Sequence, residues 1–127
     1  MKDSILKTKS YEFALSSINV YKGLIAKNEF VLSKQLIRSS TSIGANIREA
    51  NYAQSTKDFV HKLSVSLKVC DETQYWLELL YDAKYLNEFD FKTQHQKSSE
   101  IKRMLISSII TSKNKLSQKS TNEPHNP

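Results

Sequence analysis

Proline is absent from this chain until Pro124, and glycine occurs only at Gly23 and Gly44. Tight hairpins and long chains of short strands depend on those residues, so a β-rich fold has almost no turn chemistry to draw on. Four segments instead repeat apolar residues at helical spacing. The first runs from about Thr8 to Ala26, with Tyr11, Ala14, Leu15, Ile18, Tyr21 and Ile25 on one side. The second runs from about Phe30 to Ala53. Ser55, with a capping hydroxyl just before the charged residues Lys57 and Asp58, opens the third, which continues to about Tyr85. Asn87-Glu88 makes the next turn, and the fourth spans roughly Asp90 to Leu116.

Short turns place consecutive helices antiparallel, so the expected fold is all-α, an up-down-up-down four-helix bundle. The expected organisation is an N-terminal extension at 1–7, a bundle domain at 8–116 and a disordered polar tail at 117–127. A single domain of 127 residues buries a sufficient core without metal or disulfide support. Cys70, the one cysteine, allows no intramolecular disulfide. The first ten residues carry only Ile5 and Leu6 as an apolar element, too little for a signal peptide, and no apolar run reaches the roughly 20 residues of a membrane span. The expectation is a cytoplasmic protein with no membrane partner.

Within the second segment, Leu36, Ile43, Ile47 and Ala50 recur at helical spacing, and Ser39, Ser40, Thr41, Ser42, Gly44 and Ala45 lie between them. Such residues are mediocre helix formers, so propensity does not account for their density. Small side chains let another helix backbone come close, which points to a helix hemmed in on several sides. On the third helix Phe59, Val60, Leu63, Leu67, Cys70, Leu77 and Tyr81 form one stripe, with Val69, Trp76 and Leu80 beside it. Together they cover roughly 220° of the helix, against about 100° for a typical surface helix. Phe13, Val20 and Leu24 similarly fall outside the main stripe of the first helix. One core needs one stripe per helix, so Phe13, Leu24, Val69, Trp76 and Leu80 are candidates for a second buried surface, a subunit contact. The alternative is irregular packing or scattered exposed apolar residues.

Chemistry-bearing patterns are sparse. His61, His95 and His125 have no metal-ligand spacing, Cys70 sits on an apolar stripe with no assignable base, and two isolated glycines cannot build a phosphate loop. No catalytic residue, metal or cofactor is expected. Asn46 and Glu49 on the second helix, with Glu72 and Gln74 on the third, are partly buried polar groups that need partners. They form either a binding site or an interhelical hydrogen-bond network, and the network is the favoured reading.

The charge balance is more suggestive: 19 Lys and Arg against 13 Asp and Glu give +6, with both ends of the chain basic and the middle mildly acidic. Lys34, Arg38 and Arg48 fall within about 80° of one another opposite the apolar face of the second helix, with Tyr52 in line. Lys92, Lys102, Arg103 and Lys113 share an outer face of the fourth with Ile106 and Ile110. Such stripes track phosphates, and an aromatic adds stacking. The competing reading is the charged outer face of any helix in water.

Leu32 to Ala50 and Ser55 to Leu80 together resemble the bacterial ribosomal-RNA intervening-sequence proteins, whose pattern reads L-x-x-Q-I-R-R-A-x-x-S-I-x-x-N-I-x-E-G, then S-x-x-E/D-F. Gln35, Arg38, Ser42, Ile43, Asn46, Ile47 and Glu49 match, as do Ser55, Asp58, Phe59 and Glu72. Many relatives carry proline at the position of Gly44 and glycine at that of Ala50, so the second helix is expected to continue further here. The resemblance implies a four-helix bundle that assembles into a homopentameric ring. A related branch, the accessory proteins of diversity-generating retroelements, engages nucleic acid and a reverse transcriptase, but no feature assigns this chain to that branch. Two function classes stay open: an oligomer that contacts RNA or a nucleic-acid-handling protein through Lys34, Arg38, Arg48, Lys102, Arg103 and Lys113, or a scaffold ring that touches no nucleic acid.

Overall fold

The computed structural model describes residues 2–122, with side chains from 5 to 118. The described residues form four helices and no strand: α1 (Lys2–Ala26), α2 (Leu32–Ala50), α3 (Thr56–Asp82) and α4 (Glu88–Asn122). Each helix packs on the next and α4 returns against α1, so α1 and α3 lie diagonally across the bundle, as do α2 and α4.

The helix ends follow from local chemistry. Asn28 and Lys84 adopt φ of 64° and 69°. Behind them, Glu29 N–H bonds to the Leu24 carbonyl at 3.0 Å and Tyr85 N–H to that of Leu80 at 2.8 Å. These are left-handed C-terminal caps, and they stop α1 and α3. Ser55 accepts the Asp58 amide at 3.0 Å, as its sequence position implies, and Asn87 Oδ1 accepts that of Asp90 at 2.7 Å. At the start of α2 the buried carboxylate of Glu29 does this work, accepting the amides of Leu32 at 2.9 Å and Ser33 at 2.6 Å. Asn51 N–H and Tyr52 N–H bond back to the carbonyls of Arg48 and Glu49 in a closing turn, so α2 ends at Ala50 rather than near Ala53.

Two boundaries need correction. Of the expected extension at 1–7, residue 1 lies outside the described residues and residues 2–7 belong to α1, with Leu6 in the core at 2% exposure. Helix α4 runs past Leu116 to Asn122; of the expected tail, residues 123–127 lie outside the described residues.

The core has two apolar clusters. One joins Leu6, Phe13, Ile43, Ile47, Leu63, Ile101 and Leu105, among others. The other joins Leu24, Leu36, Leu77, Leu80 and Leu86. Between them along every helix lies a buried polar layer: Ser17 on α1, Ser39 and Ser40 on α2, Thr73 and Gln74 on α3, Gln94 and Ser98 on α4. Gln94 accepts from Ser16 and donates to Ser17 at 3.2 Å, which ties α4 to α1. Gln74 donates to Ser98 and Ser99 at 3.1 and 2.9 Å, and Thr73 donates to Ser39 at 2.9 Å. No buried side-chain nitrogen or oxygen among the described residues lacks a partner.

The inward face of α1 is therefore Leu6, Ser10, Phe13, Ser17 and Leu24, and its more apolar stripe faces outward, with Tyr11 55% and Leu15 48% exposed. This overturns part of the expected subunit surface. Phe13, Leu24 and Leu80 are at most 1% exposed inside the protomer, out of reach of a second copy. Val69 and Trp76 are half-buried, each packed against one of the clusters. The small residues of α2 do mark close packing: a Cβ at Gly44 would lie 3.3 Å from Ser10 Oγ and 3.5 Å from the Ser10 carbonyl oxygen.

Two stability predictions follow from this architecture. Gln94→Ala strands the α1 hydroxyls and opens a void, and is expected to cost about 2–3 kcal/mol in urea unfolding. A cost under about 0.5 kcal/mol would show that the polar layer contributes little. Burial pushes the Glu29 carboxyl up, but the amides of Leu32, Ser33 and Val31 and the Ser33 side chain together hold it below its ordinary value near 4.5. A carboxyl depressed in the folded state stabilises it above the unfolded pKa and loses that contribution as pH falls through the folded value. Stability should therefore fall below pH about 4.5 with a smaller acid-induced loss in Glu29→Gln, measured by thermal unfolding between pH about 3 and 7.

Candidate nucleic-acid interface

The six cations singled out by sequence do not form one surface. Arg38 is held by Glu72, and its Nε and Nη2 donate to Gln35 at 3.2 and 2.9 Å. Trp76 Nε1 also donates to Glu72, at 2.9 Å, so Arg38 serves the α2–α3 contact and its charge is neutralised. Lys102, expected to point away from the core, is half-buried and bonds to Asp71 at 2.8 Å and Gln74 at 3.5 Å across α3–α4. Lys34 is exposed in the first turn of α2, a helix length away from Arg48. Arg48, Arg103 and Lys113 are exposed, and none forms an ion pair among the described residues.

The expected polar network is also redistributed. Glu72 joins Arg38 and Trp76 at the α2–α3 seam. Asn46 bonds within its own helix, to the Ser42 carbonyl at 2.8 Å, and Glu49 is exposed, 3.7 Å from Lys62. Interhelical bonds of the interior come instead from Ser66, Cys70, Thr73, Gln74 and Gln94, of which sequence reasoning flagged only Gln74 as a polar group in need of a partner.

What the fold does bring together is a basic end. Lys7 and Tyr11 from α1 meet Arg48 from α2 along a groove of about 330 Å³ floored by Ala14, Thr41, Gly44 and Ala45. Beside it the α2–α3 loop and the last described turns of α4 enclose a second, polar groove of about 350 Å³, lined by Asn51, Ser55, Thr56, Ser112 and Lys115. Lys57 and Lys113 flank these elements, exposed. Of the acids near this end, Glu49 lines the first groove and lies 3.7 Å from Lys62, and Asp58 accepts the Gln54 amide at 3.4 Å and keeps its charge; the cations outnumber them. Arg48 lies in the last turn of α2, where the helix dipole favours a cation. Tyr52 stands on the α2–α3 loop at 84% exposure, next in the chain to Asn51 of the second groove. Sequence reasoning found Arg48, Lys113 and Tyr52 but missed Lys7, Lys57 and Lys115, because only the antiparallel topology makes them neighbours.

The opposite end has another character. Phe30, Val31 and Tyr85 are exposed on its two loops and Phe89 in the first turn of α4, and the loops are tied by Lys27 Nζ donating to the Tyr85 carbonyl at 3.1 Å. There Lys27, Lys84 and Lys92 are offset by Asp82, Glu88 and Asp90.

Among the described residues no group of three or more His, Cys, Asp or Glu is placed to hold a metal ion, and no helix is long and apolar enough to cross a membrane. Cys70 is buried, and its Sγ donates to the Ser98 carbonyl at 3.4 Å. Burial pushes its thiol up to about 11, against a smaller opposing pull from Lys102. Native protein at pH about 8 should therefore leave Cys70 unmodified by an aromatic disulfide reagent, with full reaction in denaturant. Rapid labelling of the folded protein would contradict this.

The family model for the 23S rRNA-intervening sequence protein matches residues 2–107. Among solved structures, the fold is similar to that of a protein of unknown function from the S23 ribosomal protein family of Bacteroides thetaiotaomicron, with a TM-score of 0.84 and 51% identity over 86% of this chain and 98% of that one. No curated protein matches the chain.

Proposed function

The chain belongs to the 23S rRNA-intervening sequence protein family, and on that premise we propose that it is a non-enzymatic, self-associating bundle that holds RNA by its phosphates. The observation that carries this reading is the basic end, where Lys7, Arg48, Lys57, Lys113 and Lys115 project from four helices around loop 51–55 and outnumber the nearby acids Glu49 and Asp58. Phosphate contacts position a chain without reading its bases, so binding is expected to be insensitive to sequence and to fall steeply with salt.

Self-association is supported by the outward face of α1, where Tyr11 and Leu15 are exposed in one helical row with half-buried Ile18. The diagonally opposite helix α3 exposes Tyr75 among Asp71, Glu78 and Asp82, complementary to Lys7 and Lys22 of α1. A contact between two different faces propagates head to tail and closes into a ring when its rotation divides a full turn, and the family resemblance favours five copies. The same face would serve a scaffold that binds only protein.

The two parts are tested separately. In a low-salt anisotropy titration with single-stranded RNA, Arg48→Glu/Lys115→Glu should bind at least about tenfold more weakly than wild type, and Lys97→Glu, at an exposed position midway along α4, should not. Absence of wild-type binding at tens of micromolar would leave the scaffold reading ahead. Light scattering should give a multiple of 14.6 kDa, reduced by Tyr11→Asp/Leu15→Asp. A wild-type mass equal to one chain would overturn self-association.

A further inference from the structure

We propose that the basic end takes nucleic acid in single-stranded form, with one unpaired base stacked on the ring of Tyr52. This rests on the phosphate-binding reading above and adds the class of ligand and the group that selects it.

Tyr52 is the most exposed of the large apolar side chains described, at 84%. It does not sit on a loose loop. The amides of Asn51, Tyr52 and Ala53 bond to the carbonyls of Arg48, Glu49 and Ala50 at 3.2, 3.0 and 3.1 Å, which continues the last turn of α2 and fixes the base of the side chain. The ring gains nothing from the bundle in this position, since almost all of its surface meets water. Its polar handle does not require such exposure either: Tyr21 and Tyr81 keep theirs while half-buried.

The surroundings match a nucleotide. Arg48 is one turn before the ring on α2, and Lys57 begins the next helix. The adjoining groove presents the amide of Asn51, the hydroxyls of Ser55, Thr56 and Ser112, and the ammonium of Lys115. Ser55 Oγ already accepts the Asp58 amide, so its own proton is free to donate to a phosphate oxygen. The nearest acids, Glu49 at 3.7 Å from Lys62 and Asp58 bonded to the Gln54 amide, are outnumbered by these cations.

Strandedness follows from the geometry of bases. In a duplex both faces of each base are covered by neighbours, and a single projecting ring finds nothing to stack on. A duplex would engage the cations and leave Tyr52 idle. In a single strand the bases splay out and their faces are available, and stacking tolerates any base because each has a π-face. Tyr52 therefore turns a phosphate contact that accepts either form into one that prefers unpaired strands.

The test is an anisotropy titration at low salt with a labelled 20-nucleotide RNA of mixed sequence, the DNA of the same sequence, and the RNA annealed to its complement. Wild type is expected to bind the single strands at least about fivefold tighter than the duplex. Tyr52→Ala should weaken single-strand binding by about 5- to 100-fold, so that the single-strand and duplex affinities converge. Tyr52→Trp should keep the preference, and its added emission should be quenched by the single strand. Equal single-strand and duplex affinities in wild type, or no loss in Tyr52→Ala, would overturn this inference and leave the phosphate reading standing. A change of mass in Tyr52→Ala by light scattering would assign the ring to a subunit contact and overturn it as well. Failure of wild type to bind any of the three oligonucleotides would overturn both readings.

Discussion

The bundle depends on the hydrogen-bonded layer at its waist. Apolar side chains attract one another without direction, so a helix lined only with leucines can slide by a turn at small cost. Gln94 with Ser17, Gln74 with Ser98, and Thr73 with Ser39 have one register in which all are satisfied. A shift of one turn leaves amides and hydroxyls unpartnered in a dry interior, which costs about 1–3 kcal/mol for each group. The layer thus fixes each helix along its axis, and the two apolar clusters fill in above and below it. The placement of the helix ends follows, and with it the meeting of Lys7, Arg48 and Lys115 at one pole.

Helix existence was legible because it needs only local information: no breakers, a 3.6-residue period and a capping serine before α3. The inward face of α1 was not. Tyr11, Leu15 and Ile18 make the more apolar stripe, while the true core face alternates Leu6 and Phe13 with Ser10 and Ser17. Those serines serve contacts that an apolarity pattern cannot register. Ser10 lets α2 approach at Gly44, and Ser17 accepts a hydrogen bond from Gln94. The start of α1 was similarly obscured, because Ile5 and Leu6 are a lone apolar pair among charged and hydroxyl residues, and Leu6 gains its meaning only from the helices around it.

The candidate interface divides the same way. Arg48 and Tyr52 are read from a single helix and its exit, so spacing was enough. Arg38 and Lys102 occupy equally outward positions by angle, yet each reaches an acid on the neighbouring helix. Angle within one helix says nothing of the partner beside it. Lys57 and Lys115 present the reverse case, since their value comes from being adjacent across a loop and a distant terminus.

The two ends of the bundle also differ in a way that acts before any contact. Cations gather at one pole, and at the other Lys27, Lys84 and Lys92 are balanced by Asp82, Glu88 and Asp90. Such a separation gives the protomer a permanent electric dipole along its long axis. In the field of a polyanion the molecule experiences a torque as well as a pull, and it rotates its basic pole forward within about a Debye length, roughly 10 Å at 0.1 M salt. The apolar pole, with Phe30, Val31, Tyr85 and Phe89, is then turned outward into the solvent. Charge distribution alone thus settles which face of the bundle arrives first and which remains open behind it.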